Sequence, residues 1–170
     1  SNTFTGLHAG TYSLVIMDSV GCTTIPAPYI VNDAAPIIVT VNPVNDTCFN
    51  ACGGMVTTTI SGGTSPYSYS WRKGINPIGT NNSSITGLCA GTDYELTILD
   101  SNNCQQIFPF AITQPDILVA TSVTTPASCY GTDDGTITVS AIGGVPPYKY
   151  SVNGGASFSN NATFTGLASG

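Results

Sequence analysis

Hydrophobic and polar residues alternate with a period of two along much of this chain. Val56, Thr58 and Ile60 make one such run, and Tyr67, Tyr69 and Trp71 make the next. Alternation of this kind predicts strands with one buried face. The two runs meet in Ile60-Ser-Gly-Gly-Thr-Ser-Pro-Tyr-Ser-Tyr-Ser-Trp71. Its Gly-Gly pair suits the positive φ of a tight reversal, and the proline before Tyr67 sets φ on the way out. The arrangement returns as Ile142-Gly-Gly-Val-Pro-Pro-Tyr-Lys-Tyr-Ser-Val152, after Ile137, Val139 and Ala141, with Tyr148, Tyr150 and Val152 in the second run. Gly62 and Gly143 stand 81 residues apart. Strand, turn, strand is written twice, so the chain is a repeat.

A second element repeats at the same period. Phe4-Thr-Gly-Leu-His-Ala-Gly-Thr-Tyr-Ser-Leu-Val-Ile-Met-Asp18 matches Ile85-Thr-Gly-Leu-Cys-Ala-Gly-Thr-Asp-Tyr-Glu-Leu-Thr-Ile-Leu-Asp100, and Phe164-Thr-Gly-Leu167 begins a third copy. Tyr12, Leu14 and Ile16 share one face, as do Tyr94, Leu96 and Ile98. Asp18-Ser-Val-Gly-Cys22 and Asp100-Ser-Asn-Asn-Cys104 predict polar hairpin tips, with return strands at 23–31 and 105–113. Pro26, Pro28 and Pro109 put those return strands at sheet edges, because proline cannot donate to a ladder. Asp33-Ala-Ala-Pro36 and Gln114-Pro-Asp116 read as linkers, and residues 37–41 and 117–123 open the units that follow.

Helical periodicity is absent. The predicted fold is all-β: tandem immunoglobulin-like β-sandwich repeats of about 80 residues. Residues 1–34 are expected to be the C-terminal half of one unit, 35–114 a complete unit, and 115–170 the N-terminal part of a third. Ser1-Asn-Thr-Phe-Thr-Gly-Leu7 nearly repeats as Asn161-Ala-Thr-Phe-Thr-Gly-Leu167. The window thus starts and stops at one phase of the repeat, and reads as a cut from a longer array.

Charge narrows the function. Charged residues are 7% of the chain, against about 25% in average soluble domains. Arg72, Lys73 and Lys149 are the only basic residues, and the net charge is −6. That argues against nucleic acid and against insertion at anionic membranes. No apolar run reaches the roughly eighteen residues of a membrane span. Polarity comes from Thr, Ser, Asn and Gly, as in secreted all-β proteins.

Six cysteines in such a chain read as disulfides. Cys22 and Cys104 occupy one phase of the repeat, and Cys48 and Cys129 another. Cys52 and Cys89 occur in the middle copy alone, where the other copies carry Asp133, His8 and Ala168. Two cysteines gained together, at one pole of a sandwich, predict a Cys52–Cys89 bond. The other four are expected to be bonded, with three pairings open. One joins 48 to 104; a second joins 22 to 48 and 104 to 129. The third links each Cys48-type residue to the Cys104-type residue of the following unit.

No catalytic constellation stands out, and no enzyme, cofactor or metal is expected. His8 is the only histidine and reads as a loop residue. Asp133-Asp134-Gly135 offers too few oxygens for calcium and reads as a turn. Asn45, Asn82 and Asn161 sit in N-glycosylation sequons, and Ser19 in an Asp-Ser-Val triplet like an O-glycosylation motif. The Tyr67/Tyr69/Trp71 stripe is core if buried and a sugar-stacking platform if exposed.

The motifs occur in a fixed order: Cys-x5-Gly, strand, Gly-Gly-x-x-Pro-Tyr-x-Tyr, Gly-Leu-x-Ala-Gly-Thr-Tyr, strand, Asp-x-x-x-Cys. This order resembles the SprB repeat of very long surface adhesins of Bacteroidota. Matching positions run from Cys48 to Cys104, from Cys129 to Gly170 and from Phe4 to Cys22. Cys52, where the third copy has Asp133, and the extra Asp93 before Tyr94 depart from it. The resemblance implies type IX secretion, an outer-surface location and a role in adhesion or gliding. The expected function is therefore a structural and adhesive segment of a long secreted stalk or filament. Its expected partners are neighbouring repeats, other copies of the chain or surface polysaccharide. The alternative is a carbohydrate-binding β-sandwich module of a secreted multidomain protein.

Overall fold

A computed structural model describes residues 3–168. Ser1, Asn2, Ser169 and Gly170, at the matching ends of the repeat, lie outside the described residues. Fourteen strands follow in chain order among those described, with no helix. They begin with β1 (Gly10–Tyr12), β2 (Ile16–Met17), β3 (Thr23–Thr24) and β4 (Tyr29–Val31). The middle of the chain supplies β5 (Ile38–Val44), β6 (Gly54–Ser61), β7 (Ser68–Lys73), β8 (Asn76–Ile78), β9 (Ser84–Leu88), β10 (Gly91–Leu99) and β11 (Gln105–Ile112). The last are β12 (Val119–Thr125), β13 (Gly135–Ile142) and β14 (Thr163–Leu167).

The seven middle strands close a sandwich. One sheet has the order β5-β6-β9 and the other β11-β10-β7-β8. Period-two alternation turns every second side chain inward. Val56 and Ile85 are register partners in the first sheet, as are Trp71 and Leu96 in the second. Ile37, Val56, Ile85 and Leu88 thereby meet Trp71, Tyr94, Leu96, Ile98 and Ile112 in one core. Leu96 and Ile98 are fully buried, and Trp71 is 1% exposed. Each large apolar side chain so buried contributes about 1.5–3 kcal/mol. Phe110 joins them, edge-on to Trp71 at 5.8 Å and stacked on Tyr94 at 5.3 Å between ring centroids. Tyr67 and Tyr69 pack half-buried against the same core. Pro109 and Pro43 lie on β11 and β5, each the outer strand of its sheet, where a missing N–H breaks no ladder.

The Gly-Gly turns have the backbone that the sequence requires. Gly62 and Gly63 take φ of 70° and 62°, and Gly143 and Gly144 take 73° and 58°. The need is also steric. A Cβ on Gly62 would run into the Pro36 carbonyl oxygen, and one on Gly143 into that of Ile117. Chain entering the unit therefore lies directly against its Gly-Gly turn.

Either side of the sandwich the ladders are partial. The return strand expected at 23–31 is broken: β2 pairs with β3 and β1 with β4, leaving Ile25–Pro28 unpaired. Pro26 and Pro28 remove two amide donors there. The run from Cys22 to Val31 also holds one residue more than that from Cys104 to Ile112, so the two strands cannot keep register. Ile16 is 53% exposed, unlike its counterpart Ile98. At the other end, β12-β13-β14 repeats the β5-β6-β9 sheet. The strand expected through Tyr148, Tyr150 and Val152 is reduced to one bridge, between Tyr150 and Ser159. In the closed sandwich that strand lies beside β10, and among the described residues no counterpart of β10 follows β14. Apolar faces stay open at both places. Phe4, Leu7, Tyr12 and Tyr29 line one groove, and Leu118, Val145, Tyr148 and Tyr150 another.

Candidate functional site

The residues with candidate chemistry do not converge. Among the described residues, no three His, Cys, Asp or Glu side chains are grouped to hold a metal ion. His8 is exposed, and it is its carbonyl oxygen that accepts a hydrogen bond, from the Tyr12 hydroxyl at 2.7 Å. Asp134 closes its own loop: one carboxylate oxygen accepts from Ser128 N–H at 2.8 Å and from the Thr132 hydroxyl at 2.9 Å. The Ser128 side chain and amide, with Thr132, hold the Asp134 carboxyl below its ordinary value. Tyr67, Tyr69 and Trp71 face inward, so they present no coplanar row to a sugar. What the repeat does build, unit by unit, is a pair of specialised poles.

The entry pole is organised by Asp100. Its Oδ1 accepts from the amides of Asn102 (2.8 Å) and Cys104 (2.9 Å), and its Oδ2 from that of Thr64 (3.0 Å). One carboxylate thus joins the β10–β11 tip to the Gly-Gly turn. Ser101 N–H donates to Thr64 O at 3.0 Å, and Gly63 N–H donates to Ala35 O at 2.9 Å. The incoming chain, the turn and the cysteine-bearing tip are therefore one hydrogen-bonded patch. Burial pushes the Asp100 carboxyl up, but the backbone donors of Cys104, Thr64 and Asn102 outweigh it, and the net displacement is downward. Asp18 repeats the tip, accepting from Val20 N–H at 3.0 Å and Cys22 N–H at 2.8 Å.

The exit pole holds the β5–β6 loop and the end of β11. Asp46 N–H donates to Thr113 O at 2.9 Å, and Thr113 N–H donates to Asn45 Oδ1 at 3.0 Å. Asn50 N–H, at a φ of 56°, donates to Gln114 Oε1 at 2.9 Å. Asp46 is 6% exposed, and its Oδ1 accepts from Gly53 N–H at 2.6 Å. Sequence reasoning missed Asn45, Asp46 and Gln114 as a group. The signal available was two short polar residues after a strand, which favour side-chain-to-backbone bonds. The third copy closes the same loop from its other end, with Asp134 where the middle copy has Gly53.

Cys52 and Cys89 are bonded at this pole, with an S–S distance of 2.00 Å and Cα atoms 3.9 Å apart. That Cα spacing is closer than the roughly 4.4 Å at the short end of ordinary bridges. The bridge ties the β5–β6 loop to the crossing between sheets, where Tyr94 also donates its hydroxyl to Cys89 O at 2.7 Å. Cys22, Cys48, Cys104 and Cys129 are each free and exposed. Neither of the two pairings expected wholly within these residues is formed. Cys48 sits at the exit pole and Cys104 at the entry pole, opposite ends of one sandwich. Of the sequon and motif residues, Ser19, Asn45, Asn82 and Asn161 are all exposed. Asn45 and Asn161 use their side-chain oxygens on the amides of Thr113 and Thr163.

A family model described as the SprB repeat matches residues 40–76 and 121–157. Two stretches of the chain are similar to the SprB repeat. Each matched segment starts within the entering strand and runs through the Gly-Gly turn, and the two begin 81 residues apart, at the period read from the glycines. The first SprB match takes in most of β5, all of β6 and β7, and the start of β8. The SprB repeat is a structural repeat of cell-surface proteins rather than an enzyme family. No curated protein and no solved structure matches the chain.

Proposed function

We propose that this chain is a segment of a long secreted cell-surface stalk, in which SprB-repeat sandwiches follow one another end to end and hold an adhesive part away from the cell. The units of this array are bounded as 35–114 for the complete one, with 1–34 and 115–170 belonging to its neighbours. One observation carries the reading: the chain enters the sandwich at one pole and leaves at the other across a very short connection. Thr113 is tied into the exit pole, and Asp116 O accepts from Gly144 N–H at 2.8 Å in the entry pole that follows. Gln114 and Pro115 alone lie between them. The open faces at 4–31 and 116–167 are, in this array, covered by the rest of their own units. A low charge and Thr-rich outer strands suit a rod in permanent contact with solvent. Adhesion, export by type IX secretion and a part in gliding follow from the kinship with SprB-repeat proteins and belong to the same proposal.

Small-angle scattering on chains carrying increasing numbers of whole units tests it. Eight-residue strands rise about 3.3 Å per residue, so each added unit should lengthen the particle by about 30–40 Å with little change in cross-section. Growth in width at constant length would rule out the stalk.

A further inference from the structure

We propose that successive units are stapled by a disulfide between the Cys48-type thiol of one unit and the Cys104-type thiol of the next. The inference rests on the end-to-end array proposed above, and four observations lead to it. The four unbonded cysteines fall in two classes, Cys48 with Cys129 and Cys22 with Cys104, and all four are exposed. The classes occupy opposite poles, exit and entry. A pole-to-pole bond within one unit must span strands of eight residues, about 26 Å, whereas bonded cysteines keep their Cα atoms within roughly 7 Å. That excludes 48–104. It excludes 22–48 and 104–129 more strongly, since each of those joins an entry pole to the exit pole of the following unit, the two ends farthest apart.

The short connection makes the remaining pairing the close one. Thr113 and Asp116 are three Cα steps apart, at most about 11 Å, so the exit pole of one unit faces the entry pole of the next. Each thiol class sits at the end of the sandwich where such a junction falls, Cys48 at the exit and Cys104 at the entry. Cys48 O accepts from Ala51 N–H at 3.2 Å, in the loop whose Asn50 amide holds Gln114. Cys104 is bound to Asp100, Asp100 to Thr64, and the neighbouring Gly63 to the incoming Ala35. With the unit repeated along the array, hydrogen-bonded loops carry one thiol with the outgoing chain and the other with the incoming chain to each gap. Bond formation removes two protons and two electrons from the thiols. The acceptor is a protein disulfide of an oxidising extracytoplasmic compartment, which leaves as its dithiol.

The partner of Cys48 would fall at the hairpin tip of the unit that begins at Pro115. Ala168-Ser-Gly170 matches Cys89-Ala-Gly91 in the repeat, so the test is the full chain extended after Gly170 by a second copy of residues 92–114. The oxidised protein is alkylated, digested without reduction and mapped by mass spectrometry. The expected result is loss of alkylation at Cys48 and one new cross-link, to the appended copy of Cys104. Cys22, Cys104 and Cys129 should remain alkylated, and Cys48→Ser should free the appended thiol. Hydrogen exchange reports separately on the array: protected amides at the appended copies of Leu96 and Ile98 mean that the third sandwich has closed. A closed third sandwich with Cys48 still alkylated overturns the staple and leaves the array standing. An unprotected third unit overturns the array reading and the staple with it.

Discussion

Asp100 does at the entry pole what a row of backbone bonds does elsewhere, holding three amides from two loops with one side chain. Its carboxyl is held below the ordinary value in the folded chain, so the sign of its pH dependence follows. The unfolded chain binds the proton more readily than the folded one. The stability that Asp100 supplies is therefore complete above the ordinary carboxyl range and is lost as pH falls through the native value. Hydrogen exchange at Thr64, Asn102 and Cys104 should speed up, relative to the sandwich core, as pH falls below the ordinary carboxyl range. Asp100→Asn should make those amides exchange faster at neutral pH and flatten the acid response. An acid response unchanged by the substitution would mean that another group carries it. Asp100 was legible in the sequence as a hairpin-tip residue, because Asp18 recurs at the same phase. Its reach to Thr64 was not, because that bond crosses between loops 36 residues apart.

At the scale of elements, the Cys52–Cys89 bridge joins two connections rather than two strands. It closes a loop of 37 residues, and a chain-entropy estimate puts its contribution at roughly 3–4 kcal/mol. Cys52→Ser with Cys89→Ser should lower the unfolding free energy of the middle sandwich by about that much. Denaturant titration with and without reductant measures it, and curves that coincide would count against the estimate. The pairing was readable because both cysteines are absent from the other copies. The inward stripes Tyr94, Leu96, Ile98 and Tyr67, Tyr69, Trp71 were readable for the same kind of reason, a period of two. Sheet membership was not. β9 and β10 are separated by Cys89 and Ala90 alone, yet they pair in different sheets, and alternation says which face is buried without saying which neighbour a strand chooses. The broken ladder at 23–31 had its signal in Pro26 and Pro28, which mark an edge but do not reveal the extra residue that spoils the register.

Among the described residues the molecule holds one closed sandwich with partial ladders on either side, and that sandwich has its entrance and exit at opposite ends. β5 and β11 both run from the entry pole to the exit pole, one receiving the chain from Ala35 and the other releasing it at Gln114. Tension along a stalk attached at both ends would pull the start of one strand against the finish of the other. The two sheets would have to slide past each other, straining many contacts at once, where a pull across a hairpin would open its bonds singly. Single-molecule pulling can compare attachment at Ala35 and Gln114 with attachment at Val44 and Met55, which are register partners at one end of the β5–β6 pair. Rupture should need the greater force in the first geometry, because the barrier to unfolding governs forced extension. Equal forces would mean that the direction of these two strands gives the array no resistance to load.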